Sequence, residues 1–90
     1  MDRKYITVPT KGFDKEIGKL TDIERALVYA KIDIMEDNPY YPSLQTHRTD
    51  GKKRYFESYI NMDIRIIWQF GNNNTILLID VGHHDVLKKY

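Results

Sequence analysis

Cysteine is absent from the sequence. The chain therefore has no disulfide to lean on, and a small secreted scaffold held by bridges is excluded. No apolar run approaches the length of a membrane span, and the opening "MDRKYITVPTKG" has no signal core. A cytoplasmic protein with no membrane partner is expected. Repeats and low-complexity segments are missing too. Strong charge of one sign is also lacking: the net is +1, which by itself names no partner. No His/Cys pair has ligand spacing, and the consecutive His83, His84 and Asp85 cannot easily converge on one ion, so neither a metal nor another cofactor is expected.

What is present suits a single domain over residues 1–90. Hydrophobic residues make up 41% and charged residues 30%, ordinary values for a folded chain with one two-layer core. The charge is unevenly placed. Residues 13–37 hold four basic and seven acidic side chains, a net of −3, which leaves +4 over the rest. "HRTDGKKR" (47–54) concentrates Arg48, Lys52, Lys53 and Arg54 against one aspartate. An acidic side and a basic side follow.

"KYITVP" (4–9) reads as a first strand that stops at Pro9. "FDKEIGKL" puts Phe13, Ile17 and Leu20 at helical spacing, a short first helix. "TDIE" (21–24) fits a capping box that opens a second helix running to about Asp37, where Asn38–Pro39 stops it. Leu20, Ile23, Leu27, Ala30 and Ile34 form the apolar stripe expected to pack on the sheet. "NPYYPSLQTHRTDGKK" (38–53) reads as a long polar loop. "RYFESYI" (54–60), "DIRIIWQF" (63–70) and "TILLIDV" (75–81) read as strands, parted by turns at Asn61–Met62 and at "GNNN". The expected fold is α+β: a mostly antiparallel four-stranded sheet with an N-terminal helix hairpin on one face, in the order β-α-α-β-β-β.

Side-chain parity divides the sheet. Ile64, Ile66, Trp68 and Phe70 should face the helices, with Phe56 and Ile60 beside them. Arg65 should point the other way and share that face with Tyr55, Glu57 and Tyr59. The parity of Asp80 is ambiguous, because both faces of its strand are apolar.

Three stretches together resemble the RelE/ParE superfamily of bacterial toxins, of the RelE, YoeB and YafQ kind, from type II toxin–antitoxin modules. They are "NPYYPSLQTHRTDG", the hairpin "FESYINMDIRIIW" and the last strand "ILLIDVGHHDVL". The resemblance implies a sheet backed by two helices, a cognate antitoxin as partner, and, in many members, cleavage of mRNA, often on the ribosome. Other members inhibit DNA gyrase instead, and a non-toxic antitoxin-binding relative is the remaining alternative. Arg65 matches the family's phosphate-contacting hairpin arginine. His83 or His84 stands where members carry a basic residue or histidine, and His47 resembles a loop histidine of some nucleases. Two departures stand out. Ser58 and Tyr59 occupy a region where many members carry an arginine, and Lys88 stands where many carry a tyrosine, the nearest being Tyr90.

The residue types suit RNA cleavage by the substrate's own 2′-hydroxyl. That reaction needs a base, an acid and cations around the phosphorus. Histidine serves the first two roles near neutral pH, and arginine's planar fork matches phosphate oxygens. The expected catalytic set is Arg65, His83, His84, His47 and Glu57, with His83 and His84 overhanging the Arg65 face, one of these two ahead of His47 as the proton-transfer group, and Glu57 as partner or positioner. Arg48, Lys52, Lys53, Arg54, Tyr55, Tyr59 and Tyr90 are the expected RNA contacts, the basic ones as electrostatic guides and the tyrosines as stacking surfaces.

Overall fold

Residues 3–51 and 53–90 are described in a computed structural model. The helices begin where the side chains can cap them. The Thr10 hydroxyl accepts from the Phe13 amide at 3.3 Å and opens α1 (Lys11–Ile17). Thr21 and Glu24 close the capping box, at 3.2 and 2.8 Å, and open α2 (Asp22–Asp37). Asn73 and Asn74, at φ 55° and 58°, supply the left-handed turn of the "GNNN" segment.

Five strands form one sheet in the order β1-β5-β4-β3-β2: β1 (Ile6–Pro9), β2 (His47–Arg48), β3 (Phe56–Tyr59), β4 (Ile64–Phe70) and β5 (Thr75–His83). β1 runs parallel to β5 and the other three pairings are antiparallel. The expected four strands thus become five. The extra one lies in the segment read as a loop, which also holds a 3₁₀ turn, Pro42–Leu44, with Leu44 fully buried. Two paired residues are too few to leave an alternation pattern.

One core fills the space between the helices and one sheet face. Phe13 and Ile17 come from α1, and Val28, Ile32 and Met35 from α2. Ile64, Ile66, Trp68, Ile76, Leu78 and Val81 come from the sheet. Trp68 is 0% exposed, so its expected parity holds. The expected α2 stripe holds only at its ends: Leu20 joins the core and Ile34 packs against it, but Ile23 is 77% and Leu27 42% exposed, and Ala30 is exposed too. Val28, Ile32 and Met35 recur at the same helical spacing and pack instead. The helix carries two apolar stripes, and periodicity alone does not say which one meets the sheet.

β5 changes parity partway. Ile67 pairs with Asp80 but Trp68 pairs with Leu78, so Ile79 is an extra residue bulged out of the ladder. The Thr10 hydroxyl bonds the Leu78 carbonyl at 2.9 Å at this point. Gly12 lets α1 come close: a Cβ there would lie 3.2 Å from the Ile79 carbonyl oxygen. Because of the bulge, Val81 faces the core while Asp80 and Gly82 face away from it.

At the other edge Glu36 ties α2 to β1. Its carboxylate accepts from the Thr7 amide at 3.0 Å and the Thr7 hydroxyl at 2.8 Å, and it pairs with Arg3. Burial by itself would raise the Glu36 pKa, but these bonds outweigh it and hold the group below the ordinary carboxylate range.

Two outcomes follow. Met35→Ala should cost about 2–5 kcal/mol as a core truncation, whereas Ile23→Ser should stay within about 0.5 kcal/mol, both read from urea midpoints. A depressed carboxylate stabilises the fold above its unfolded pKa and stops doing so as pH falls through the folded value. The stability gap between wild type and Glu36→Gln should therefore narrow as pH drops below about 4, and a gap that holds constant to pH 3 would contradict the assignment.

Candidate functional site

The face turned away from the helices carries two rows of side chains. One runs His47, Glu57, Ile67, Asp80 across β2, β3, β4 and β5. The other runs Tyr59, Arg65, Gly82 across β3, β4 and β5. This face is less open than the sequence suggests. Glu57 is 3%, Asp80 5% and Arg65 8% exposed. The chain folds back over it after β5 as a 3₁₀ segment, His84–Lys89, which buries Val86 against Gly82.

Arg65 lies flat on Tyr59, its guanidinium carbon 3.6 Å from the ring centroid. One terminal nitrogen donates to the Asn61 carbonyl at 2.7 Å and to the Ile64 carbonyl at 3.2 Å. The guanidinium is thereby tied to the β3–β4 turn, and among the described residues its other N–H groups have no hydrogen-bond partner.

His47 bridges two oxygens. Nδ1 is 2.9 Å from the Gln45 carbonyl, and Nε2 is 2.7 Å from Glu57 Oε1. A carbonyl can only accept, so Nδ1 carries a proton. Nε2 and the carboxylate oxygen are close enough to share a proton when either group carries one. Gln45, in the left-handed region at φ 46°, turns the chain so that its carbonyl reaches the ring. The His47 and Tyr59 rings are 6.2 Å apart, so the pair and the Arg65–Tyr59 stack form one cluster.

Further along, the Tyr90 hydroxyl donates to Asp80 Oδ2 at 2.8 Å, and its ring meets Tyr55 edge-on at 5.3 Å. Burial first, then the bond to Asp80, raises the Tyr90 pKa, so this phenol is a fixed donor and not a base. Gly51, Lys53, Tyr55, Lys89 and Tyr90 line a shallow cleft of about 290 Å³ there. Lys53 stands 5.8 Å over the Tyr55 ring.

The remaining expected residues separate. His83 pairs with Ile64 in the ladder, so it lies on the helix side. Its Nε2 is 3.1 Å from Glu24 of α2 and 3.9 Å from Asp63. It does not overhang Arg65; the bulge at Ile79 has reversed the parity that strict alternation would give it. The Glu24 carboxylate is held low by the Thr21 amide first and His83 second. His84, 72% exposed, leaves the sheet beside Asp63 at 3.5 Å. Arg48 lies on the helix side over Phe56. Arg54 is exposed, and Lys52 lies outside the described residues. The parity of Glu57, Tyr59 and Arg65 was legible beforehand. The closeness of His47 to Glu57 was not, because it depends on the two-residue strand β2. Among the described residues no group of three or more His, Asp or Glu side chains is arranged to hold a metal, and no helix is long and apolar enough to cross a membrane.

No protein-family model and no curated protein sequence matches the chain. Solved structures do. The RelBE2 toxin–antitoxin complex of Mycobacterium tuberculosis contains a chain with TM-score 0.76 and 14% identity, covering 90% of this chain and 99% of that one. The DinJ–YafQ toxin–antitoxin complex of Escherichia coli gives 0.75 at 11% identity, covering 93% and 97%. A metal-bound toxin from Helicobacter pylori gives 0.70 at 23%, covering 92% and 98%. The resemblance drawn from sequence to RelE-type toxins is thus borne out in the fold.

The His47 geometry has a direct check. The ¹⁵N spectrum of the imidazoles at neutral pH should show His47 protonated at Nδ1, and Glu57→Gln should shift its Nε2 resonance while leaving His83 unmoved. A ring protonated at Nε2 alone would contradict the pairing.

Proposed function

We propose that this chain is the toxin of a type II toxin–antitoxin pair and that it cuts mRNA, without a metal, by attack of the substrate's own 2′-hydroxyl. The observation that carries the reading is the shared face: His47 and Glu57, within proton-sharing distance of each other, lie beside Arg65, which rests on the Tyr59 ring. The free N–H groups of Arg65 suit the charge that develops on the phosphoryl oxygens. The His47–Glu57 pair takes the 2′-hydroxyl proton as that oxygen bonds to phosphorus and returns it to the departing 5′-oxygen as the P–O5′ bond breaks, giving a 2′,3′-cyclic phosphate. His84 stands apart beside Asp63 and is assigned no chemical role. Tyr59, Tyr55, Tyr90 and Lys53 supply stacking and charge along the same face. His83 is turned toward Glu24 and is assigned no chemical role.

A cognate antitoxin is the proposed partner, supported by the toxin–antitoxin complexes that share the fold. The proposed setting is the cytoplasm, with mRNA bound free or on the ribosome. One observation favours the alternative of a non-cutting member, either a gyrase inhibitor or a non-toxic antitoxin binder. Arg65 is 8% exposed and already serves two turn carbonyls, as a purely structural arginine would.

Induction in a bacterial host, with growth and RNA fragments followed over time, separates the readings. His47→Ala should slow cleavage by about 100- to 10,000-fold and Arg65→Ala by about 100- to 1000-fold. Arg65→Lys should not rescue, because an ammonium lacks the planar fork. His83→Ala should cut like wild type. Each variant is checked for a cooperative melt. RNA cleavage unchanged in both His47→Ala and Arg65→Ala would sink the nuclease site; growth arrest without RNA fragments, accompanied by loss of DNA supercoiling, would select the gyrase reading.

A further inference from the structure

A second cluster of aromatic rings lies at the same edge of the sheet but on the helix side. Phe70 ends β4 and is 40% exposed, and Tyr40, just after α2, is 56% exposed. The Tyr40 ring lies 6.3 Å from Phe56 and 6.4 Å from Phe70, and Phe56 meets Phe70 edge-on at 5.6 Å. Beneath them Trp68 stacks on Phe56 at 4.7 Å. Arg48, Arg54, Phe56 and Phe70 line a cleft of about 310 Å³ between these rings. The guanidinium carbon of Arg48 stands 5.6 Å over the Phe56 ring. Among the described residues neither Arg48 nor Arg54 is in an ion pair, and no carboxylate lines the cleft.

We propose that this cleft is a second RNA-contacting site, which takes one unpaired base against Phe56 and Phe70 and the adjoining phosphates on Arg48 and Arg54. The inference rests on the RNA reading above. Exposed planar rings combined with uncommitted guanidiniums are the chemistry that holds single-stranded RNA, by stacking and by phosphate contact. An acidic, apolar peptide is the competing occupant. The topology favours RNA. Among the described residues β2 is the last strand of the sheet, and its outer edge pairs with no other strand. Its two residues point to opposite faces: His47 toward Glu57, Arg48 over Phe56. One strand crossing that edge meets the proton-transfer pair on one side and the cleft on the other. A polymer with a negative charge at every unit satisfies both sides in any register, which a peptide anchored by a few side chains does not.

Trp68 is the single tryptophan and packs against both Phe56 and Phe70, so its emission reports on the cleft. The probe is a short 2′-O-methyl oligouridine labelled with fluorescein, which cannot be cut because its attacking hydroxyl is blocked. On titration, anisotropy should show binding and Trp68 emission should change with the same midpoint. Phe70→Ser and the double variant Arg48→Glu/Arg54→Glu, which alters only exposed side chains, should each weaken the emission response by roughly 5- to 100-fold, the range for losing one stacked base. Binding by anisotropy with a silent Trp68 and wild-type affinity in both variants would overturn the cleft and leave the RNA reading standing. No binding at all would overturn both. A glutamate- and leucine-rich peptide that shifts Trp68 emission where the RNA does not would overturn the proposal in favour of protein docking.

Discussion

A single line of hydrogen bonds ties the sheet to the segment that follows α2. Trp68 Nε1–H donates to Ser58 Oγ at 2.8 Å, Ser58 and Thr46 hydroxyls meet at 2.6 Å, and Thr46 reaches the Pro39 carbonyl at 2.6 Å. The direction is forced. A carbonyl only accepts, so the Thr46 hydroxyl donates to Pro39; Ser58 must then donate to Thr46 and accept from Trp68. Every member is satisfied in a dry interior, where an orphaned indole N–H would cost about 1–3 kcal/mol. Because Thr46 is pinned inward, His47 must point outward to Glu57 and Arg48 inward to Phe56. The His47–Glu57 pair on one face and the aromatic cleft on the other are both set by this line. It also accounts for Ser58: the position faces Trp68 and is 0% exposed.

The outer face is built around charges taken out of water. Desolvated groups need partners, and here each has them. Arg65 has the Tyr59 ring and two carbonyls, Glu57 has His47, and Asp80 has the Tyr90 hydroxyl and the Val81 amide at 2.8 Å. Moving any one of these charged groups would strip it of partners that burial makes necessary.

Local chemistry was the legible part of the fold. The capping box at Thr21, the turn asparagines and the parity of Trp68 each depend on residues within a few positions of one another, and each was readable in the sequence. What escaped depends on contacts distant in the chain. α2 offers two apolar stripes, and the sheet selects the one with Val28, Ile32 and Met35. β2 exists only because β3 is there to pair with it. His83 lies on the helix side and Asp80 on the outer face because of one unpaired residue, Ile79, whose carbonyl is approached by Gly12 some 67 positions earlier. The parallel pairing of β1 with β5 leaves no local trace either.

That bulge bears on how such chains can drift in length. In a regular strand the gain or loss of one residue turns every later side chain to the opposite face. Ile79 is the exception in β5. It occupies a place in the chain but none in the ladder, since Leu78 pairs with Trp68 and Asp80 with Ile67 on either side of it. A relative lacking this residue would keep Leu78 and Val81 in the core and Asp80 outside, with a straighter strand and a looser fit to α1. The middle of a buried strand is the last place an alignment would be allowed to open a gap, yet here it is the one position in β5 where a gap leaves the inside and the outside of the protein unchanged.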